Sequence, residues 1–356
     1  MKNDKSSITL RAPTSLTPAL SQREREIQST LVCAVDLGGT NLRAANIDRE
    51  GRIHERVKVS TPAANKPEDI LNAIASAVGQ CEDQAAPRAG RMQAVSVVVP
   101  GSVHRDTGAI VNAPNVPAIV DFRLADALAA KLDRQVVIEN DANAAALGEM
   151  WQGAARGCRT FVCLTLGTGV GSGIVLDGEL WRGVDGTAGE IGHTSVDPFG
   201  GVQCKCGNVG CLEVCASATA IARMAREGLT ERYAGLRPAR EIADASESIL
   251  HSIPWEGLTA ARIADAANER DEFAQSVFRR AGMYLGIAAA TIVNTLNPEM
   301  IVIGGGVSAA FDLFAPCARE EMLKRAFPVP AARCRIVKAE CGDDAGLLGA
   351  AWLAFH

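Results

Sequence analysis

Residues 31–48, LVCAVDLGGTNLRAANID, consist of two apolar runs about a pair of glycines. LVCAVDL (31–37) and LRAANID (42–48) are short and rich in β-branched and small apolar residues, which predicts two strands. Gly38-Gly39 between them predicts the turn. Paired glycines allow positive φ and expose backbone N–H groups with no Cβ in the way, so such a turn can hold a phosphate. A plain hairpin explains the glycines but gives no reason for the acid before them, Asp36, or the hydroxyl after them, Thr40. Asp36 is placed to position a hydrated Mg²⁺, and Thr40 to donate to a phosphate oxygen.

Downstream, RIHERVKVS (52–60) reads as a third strand of the meander, 68–81 as a helix and AVSVVVPG (94–101) as a buried strand. A helix at 124–132, a buried strand QVVIEN (135–140) and an Ala-rich helix at 142–150 follow. The pattern then begins again. TFVCLTLG (160–167), VGSGIVLDG (170–178) and ELWRG (179–183) form a second meander, and 216–296 is mostly helical, with a polar interruption at 247–257 read as a loop. MIVIGGG (300–306), RIVKAEC (335–341) and a closing helix at 345–355 complete the chain. Two meanders, each leading into helices and further strands, predict an α/β fold duplicated in structure without evident duplication of sequence.

The second meander turns at Gly167-Thr168-Gly169, which lies between strands rather than between a strand and a helix and lacks the lysine of a GxxxxGK[ST] loop. Its weight comes from the pair: one phosphate-compatible turn per repeat predicts two turns facing a shared cleft. A third cluster, Gly304-Gly305-Gly306, follows a strand and precedes a helix, where the flat ring of a ligand can approach the backbone.

At 356 residues, 47% of them hydrophobic, the chain has enough apolar material for about two domains. A formal charge of -5 gives no electrostatic reason to expect nucleic acid or an anionic membrane as partner. No run reaches the ~18 apolar residues of a membrane span; the longest, at 284–296, is interrupted by Thr and Asn and stopped by Asn297-Pro298. Residues 1–30 are polar, hold Pro13 and Pro18 and lack the apolar core of a secretory leader, which predicts a flexible tail with one short helix at 20–27 and a cytoplasmic protein. In a reducing compartment the eleven cysteines stand for packing residues, metal ligands or nucleophiles.

Four residues stand out, in the pattern H-x10-C-x-C-x4-C: His193, Cys204, Cys206 and Cys211. One imidazole and three soft thiolates form a tetrahedral set for Zn²⁺, and with four protein ligands no position is open for an activated water, so the site is structural. Lys205 is the only basic residue between His193 and Cys215, which argues against a nucleic-acid zinc ribbon. The other eight cysteines show no such pattern and read as packing residues. Glu139-Asn140-Asp141-Ala142-Asn143 marks the passage from strand to helix, and on position alone Asp141 is a natural N-cap.

The motifs DLGGT (36–40), ENDAN (139–143), LGTGVGSG (166–173), GEIGH (189–193), CxCGxxGCxE (204–213) and GGGV (304–307), in this order, resemble those of the ROK family. This family comprises bacterial sugar kinases and sugar-responsive repressors within the actin-like ATPase and hexokinase superfamily, and the resemblance runs from about residue 31 to 355. It implies two ribonuclease-H-like domains around a central cleft with a zinc loop. The expected division is a tail at 1–30, an N-terminal α/β domain at 31–140 on which the closing helix 345–356 packs back, and a C-terminal domain at 141–344 carrying the zinc loop at 193–213.

The implied activity is ATP-dependent phosphorylation of a hexose, glucose to glucose 6-phosphate, with Asp141 as the general base. The resemblance assigns Asn115, Asn140, Glu190, His193 and Glu213, with Asp141, to the sugar, and Mg²⁺ and ATP to Asp36, Gly38, Gly39, Thr40, Asn41, Gly167, Thr168, Gly169, Gly304, Gly305 and Gly306. Glu213 has a second reading as an acid at a helix N-terminus. After Asn115 the family's glucokinases usually carry a glycine-tryptophan pair, whereas this chain has Val116-Pro117-Ala118-Ile119. That departure keeps an N-acetylglucosamine or N-acetylmannosamine kinase as an alternative. A repressor, which would need a helix-turn-helix domain before the first phosphate turn, is the alternative from another class, and a homodimer is the expected assembly.

Overall fold

In the computed structural model, which describes residues 30–63, 66–85, 91–230 and 242–356, the apolar run at 31–37 is the central strand of a five-stranded sheet. This strand, β1 (Thr30–Leu37), pairs antiparallel with β2 (Asn41–Asp48), which pairs with β3 (Ile53–Ser60). Helix α1 (Pro67–Ala85) leads to β4 (Arg91–Val99), parallel to β1 on its other side. A small hairpin, β5 (Ser102–Val103) and β6 (Ile110–Asn112), and helix α2 (Leu124–Leu132) precede β7 (Val136–Asn140), parallel to β4. Central strands are covered on both faces, which is why β1 and β4 are almost continuously apolar rather than alternating.

After helix α3 (Asp141–Gln152) the architecture recurs. Strands β8 (Phe161–Leu166), β9 (Val170–Leu176) and β10 (Glu179–Leu180) make an antiparallel meander. Helices α4 (Leu212–Ala216), α5 (Ala218–Leu229), α6 (Ala260–Asn268) and α7 (Glu272–Leu296) follow. Strand β11 (Met300–Gly304) adds parallel to β8; after α8 (Phe311–Arg325) and α9 (Pro328–Arg333), strand β12 (Arg335–Lys338) adds parallel to β11. The second order, β10-β9-β8-β11-β12, repeats the first, β3-β2-β1-β4-β7: a meander on one side and parallel strands on the other.

Helix α10 (Ala345–Phe355) and α3 lie between the sheets and pack on both. Ala144 of α3 and Leu347, Leu348, Ala350 and Ala351 of α10 share a core with Val32, Ala34 and Val98 of the first sheet. Ala146, Leu147, Trp352 and Leu353 pack with Phe161, Cys163, Val175 and Val302 of the second. The helices touch through glycines: a Cβ on Gly349 would lie 1.7 Å from the Ala144 carbonyl oxygen, and one on Gly148 2.1 Å from that of Ala345. The buried carboxylate of Glu149 accepts the N–H groups of Ala154, Glu340 and Cys341, which ties the end of α3 to the segment entering α10.

Two sequence expectations change. The interruption at 247–257, read as a loop, is exposed over most of its length but carries two short 3₁₀ turns, Ile249–Ser252 and Trp255–Gly257; it buries Leu250 completely, and Leu258 beside it is 1% exposed. The Asp271 carboxylate, accepting from Ser248 Oγ and Ile249 N, holds the first turn in place of apolar periodicity. The strand expected at 179–183 spans only Glu179–Leu180; Trp181 N–H makes a last bond to Ile174 O (2.7 Å) of β9 beyond it. The expected tail and its helix at 20–27 lie outside the described residues, as do residues 231–241 of the span read as mostly helical. No helix among the described residues is long and apolar enough to cross a membrane.

Candidate active site and metal centre

A cavity of about 230 Å³ opens between the two halves of the repeat, lined by Asp36 at the end of β1, Asp141 and Glu149 of α3, Thr165 of β8, Gly304-Gly305 at the end of β11, Gly342 and Asp343 just before α10 and Ala345 and Gly346 at its start. It brings Asp36, Asp141 and Gly304-Gly305 together from three distant stretches of sequence.

Asp141 is not the N-cap that its position suggested. Asn140 is: its Oδ1 accepts the N–H groups of Ala142 (2.9 Å) and Asn143 (3.1 Å). The cap moves one residue back because Asn140, still extended at ψ 148, turns its side chain over the helix end, and Asp141, already helical, projects into the cleft. Asn140 Nδ2 donates to the Gly101 carbonyl (3.2 Å) and to Asp141 Oδ1 (3.1 Å), so the expected sugar ligand also holds the carboxylate beside it. Desolvation raises the Asp141 carboxyl to about 6, and the negative charge of Asp36 adds to the rise, against the N–H of Ala142 and the amide of Asn140, which lower it. Asp141 is solvent-accessible, yet it sits on the floor of a concave site where surrounding protein displaces most of its bulk water.

Asp36 is ion-paired with Arg43, its direct partner across the β1–β2 register. Among the described residues lining the cavity Arg43 is the only cation, facing the acids Asp36, Asp141, Glu149 and Asp343. The first turn closes with Gly38 N–H donating to Asn41 O (2.9 Å) and Thr61 Oγ1 donating to Gly38 O (2.7 Å), leaving Thr40 exposed. Neither Gly38 nor Gly39 takes the positive φ that the pair was expected to exploit. The requirement is proximity instead: a Cβ on Gly39 would lie 3.1 Å from that of Asn115, so the expected sugar ligand Asn115 sits against the first turn.

The second turn is braced from behind. Gly167 O accepts Ala218 N–H (2.8 Å), and Thr168 O accepts Thr219 Oγ1 (2.9 Å), both at the start of α5. Glu213 Oε2 accepts Val170 N–H (3.1 Å). Gly167, Thr168, Gly169 and Gly306 do not line this cavity, and neither do Gly38, Gly39, Thr40 and Asn41 of the first turn.

His193 Nδ1 lies 3.7 Å from Cys204 Sγ, Cys206 Sγ lies 3.7 Å from Cys211 Sγ, and all four donor atoms fall within 4.8 Å of one another. A tetrahedral Zn²⁺ with ordinary bond lengths needs S···S edges of about 3.8 Å and S···N edges of about 3.6 Å, so the two 3.7 Å separations match and the widest would close by about 1 Å around the ion. Gly210 permits the tight fold: it takes φ +67, and a Cβ there would meet the Asp197 carbonyl at 1.9 Å. Tyr284 of α7 donates to Asp197 Oδ2 (3.2 Å) and anchors the loop to the second core. Backbone N–H donation from Asn208 lowers the Cys206 thiol, whereas burial pushes Cys211 up to about 12. With Nδ1 turned to the sulfurs, His193 directs Nε2 toward Glu190 Oε2, 3.9 Å away, while Glu190 Oε1 lies 3.5 Å from Ser102 Oγ of the first half. Of the other cysteines, six are buried and Cys317 and Cys341 half-buried, as packing residues should be.

Arg43, Glu149 and the 342–346 segment were missed from the sequence. A signal for Arg43 existed: a tight turn at 38–41 makes 36 and 43 direct partners. No local pattern placed 342–346 in the cleft.

The model of the ROK family matches residues 32–356. The glucokinase of Halalkalibacterium halodurans is 40% identical over 90% of this chain and 93% of its own length. That of Thermotoga maritima is 37% identical over 89% of this chain and 95% of its own. Among solved structures, a ROK family glucokinase from Streptomyces griseus in complex with glucose and AMPPNP superposes with a TM-score of 0.74 at 33% identity, covering 91% of this chain and 99% of that one.

Proposed function

The chain belongs to the ROK family, and from that premise we infer that it is an ATP-dependent hexose kinase that converts glucose to glucose 6-phosphate. The observation that carries the residue assignment is the meeting of Asp36 and Asp141 in one cavity with Gly304-Gly305, between two repeats of one fold.

Phosphoryl transfer asks a protein to align donor and acceptor, neutralise charge and dispose of one proton. Asp141 takes the proton from the attacking sugar hydroxyl, and a carboxyl near 6 is ionised at neutral pH yet more basic than an ordinary aspartate. Asn140 fixes its direction. Asp36 is the residue that would hold hydrated Mg²⁺, which neutralises phosphate charge when bound. The glycine turns offer backbone N–H groups to phosphate, and Gly304-Gly305 leave room for the adenine side of the nucleotide. Asn115, Asn140, Glu190, His193 and Glu213 read the sugar hydroxyls in this assignment, with carboxylates accepting from neighbouring hydroxyls. His193, Cys204, Cys206 and Cys211 are the residues that would hold a structural Zn²⁺, which when bound would keep Glu190 and Glu213 in register. The halves 31–140, with helix 345–356, and 141–344 are the bodies that flank the substrates, and a homodimer belongs to the same reading.

A coupled assay of ADP release across glucose, mannose, fructose, N-acetylglucosamine and N-acetylmannosamine, with ATP and polyphosphate as donors, tests the assignment. Glucose with ATP gives the highest kcat/KM. A preference for either N-acetylhexosamine would overturn the sugar, and turnover with polyphosphate alone would overturn the donor.

A further inference from the structure

Glu139, the residue before the Asn140-Asp141 pair, is 6% exposed and carries a carboxylate. Its Oε1 accepts the backbone N–H of Asn140 (3.0 Å) and Nδ2 of Asn143 (2.9 Å). Its Oε2 accepts Nε of Arg182 at 2.7 Å. A carboxylate this buried needs a cation or a full set of donors, and Arg182 is the cation. Asn143 depends on the same group, since its buried Oδ1 has no hydrogen-bond partner among the described residues.

Arg182 comes from the other half of the fold. It follows β10 and opens the segment leading to Glu190 and His193, and its carbonyl accepts Ala188 N–H (3.0 Å) to close that segment into a loop. The loop leans on the first half at two further points. Asp185 O accepts Arg105 N–H (3.1 Å), and Gly186, at φ +95, passes so close to the Val103 carbonyl that a Cβ would lie 2.3 Å from it. These are backbone contacts; Arg182 to Glu139 is the charged side-chain contact that ends beside Asp141.

We propose that Arg182 is a positioning residue for phosphoryl transfer: through Glu139 it fixes the Asn140-Asp141 turn and couples the aim of the base to the seating of the sugar-facing loop 181–190. The proposal rests on the reading of Asp141 as general base. Arg182 touches no reacting atom; it sets the Glu139 carboxylate, which holds the Asn140 backbone and the Asn143 amide, and Asn140 holds Asp141. A loop displaced by an ill-fitting sugar would withdraw the guanidinium and loosen the base, so misalignment appears in kcat as well as in binding.

The test is steady-state kinetics of the full-length enzyme for Arg182→Met, Arg182→Lys, Glu139→Gln, the Arg182→Met/Glu139→Gln pair, Asp141→Asn, and Arg182→Met in the Asp141→Asn background. Arg182→Met lowers kcat roughly 10- to 100-fold with KM for ATP unchanged. Arg182→Lys, able to keep the charge but not the directed Nε–H, falls between, and it serves as the readout if the Met variant does not fold. The pair is no slower than its slower member, and Arg182→Met costs nothing further once Asp141 is Asn. A loop that only shapes the sugar pocket would raise KM for glucose and leave kcat within threefold of the parent, and that result overturns the proposal. A full additional loss in the Asp141→Asn background overturns it too. Near-parental turnover by Asp141→Asn alone would remove the base assignment itself, a separate failure visible before any Arg182 variant is compared.

Discussion

Replacing Asp141 with Asn should make the protein more stable and nearly inactive, and both changes follow from one carboxylate. Its folded-state value near 6 stands above the 3.8 of an ordinary aspartate, mainly because the cleft desolvates it and Asp36 repels it. Keeping such a group ionised costs the folded state about 3 kcal/mol if the shift is taken whole, and about 1–2 kcal/mol after allowing for screening where it opens to cleft water. A folded value above the unfolded one means that Asp141 favours folding while protonated, fully so below 3.8, and that this contribution is lost as pH rises through 6. Asn never ionises. The variant should therefore match the parent near pH 4 and exceed it by about 1–2 kcal/mol above pH 7, with a kcat lower by about 10²- to 10⁴-fold. Urea titrations of both proteins at a series of pH values, without nucleotide or Mg²⁺, measure the first effect, and the coupled assay measures the second. Equal stability at pH 7.5, or turnover within tenfold of the parent, would refute the reasoning.

The parent's kcat/KM for glucose should fall on the acid side with a midpoint near 6, reaching about a tenth of its plateau at pH 5 because only the ionised base accepts a proton; a flat profile down to pH 5 contradicts this. Gly349→Ala should destabilise the fold by about 1–3 kcal/mol or more, since its Cβ would sit 1.7 Å from the Ala144 carbonyl where α3 and α10 cross; a denaturation midpoint equal to the parent's would show that the helices part freely. Elemental analysis should find one Zn²⁺ per chain, lost in Cys206→Ser together with a rise in KM for glucose; an unchanged KM in the zinc-free variant would separate the metal loop from the sugar.

The fold was legible because its signals are short-range and repeated. Each meander announces itself by apolar runs around glycines, and each buried parallel strand by an unbroken β-branched run. The clustering of His193, Cys204, Cys206 and Cys211 was legible because the four lie within nineteen consecutive positions and are chemically unusual there. What stayed hidden depends on contacts between distant segments. Gly342 to Gly346 enters the cleft only because Glu149, almost two hundred residues earlier, holds the N–H groups of Glu340 and Cys341. Leu250 is buried because Asp271 anchors the 3₁₀ turn that carries it. The cap at Asn140 rather than Asp141 shows a finer limit: both residues are good caps, and only the backbone angles at the end of β7 decide which one faces the cleft.

Glu213 joins two features that the sequence presents separately. It stands two residues after Cys211, so the metal loop fixes its backbone, and its carboxylate accepts the N–H of Val170 at the mouth of the second glycine turn. A Cβ on Gly169 would lie 2.3 Å from that carboxylate, so the glycine is needed there for the acid to approach, a role distinct from exposing N–H groups to phosphate. One oxygen of Glu213 is thereby engaged with protein, and in the proposed assignment the other accepts from a sugar hydroxyl. The expected sugar contact and the bracing of the turn are thus compatible, each using its own oxygen. The alternative reading of Glu213, an acid serving the N-terminus of α4, loses force, because the carboxylate is turned toward β9 and a helix of five residues offers little dipole to satisfy. The second turn is therefore braced by a residue of the loop that carries His193, Cys204, Cys206 and Cys211, and on the proposed reading a metal held there would steady the turn without touching the nucleotide.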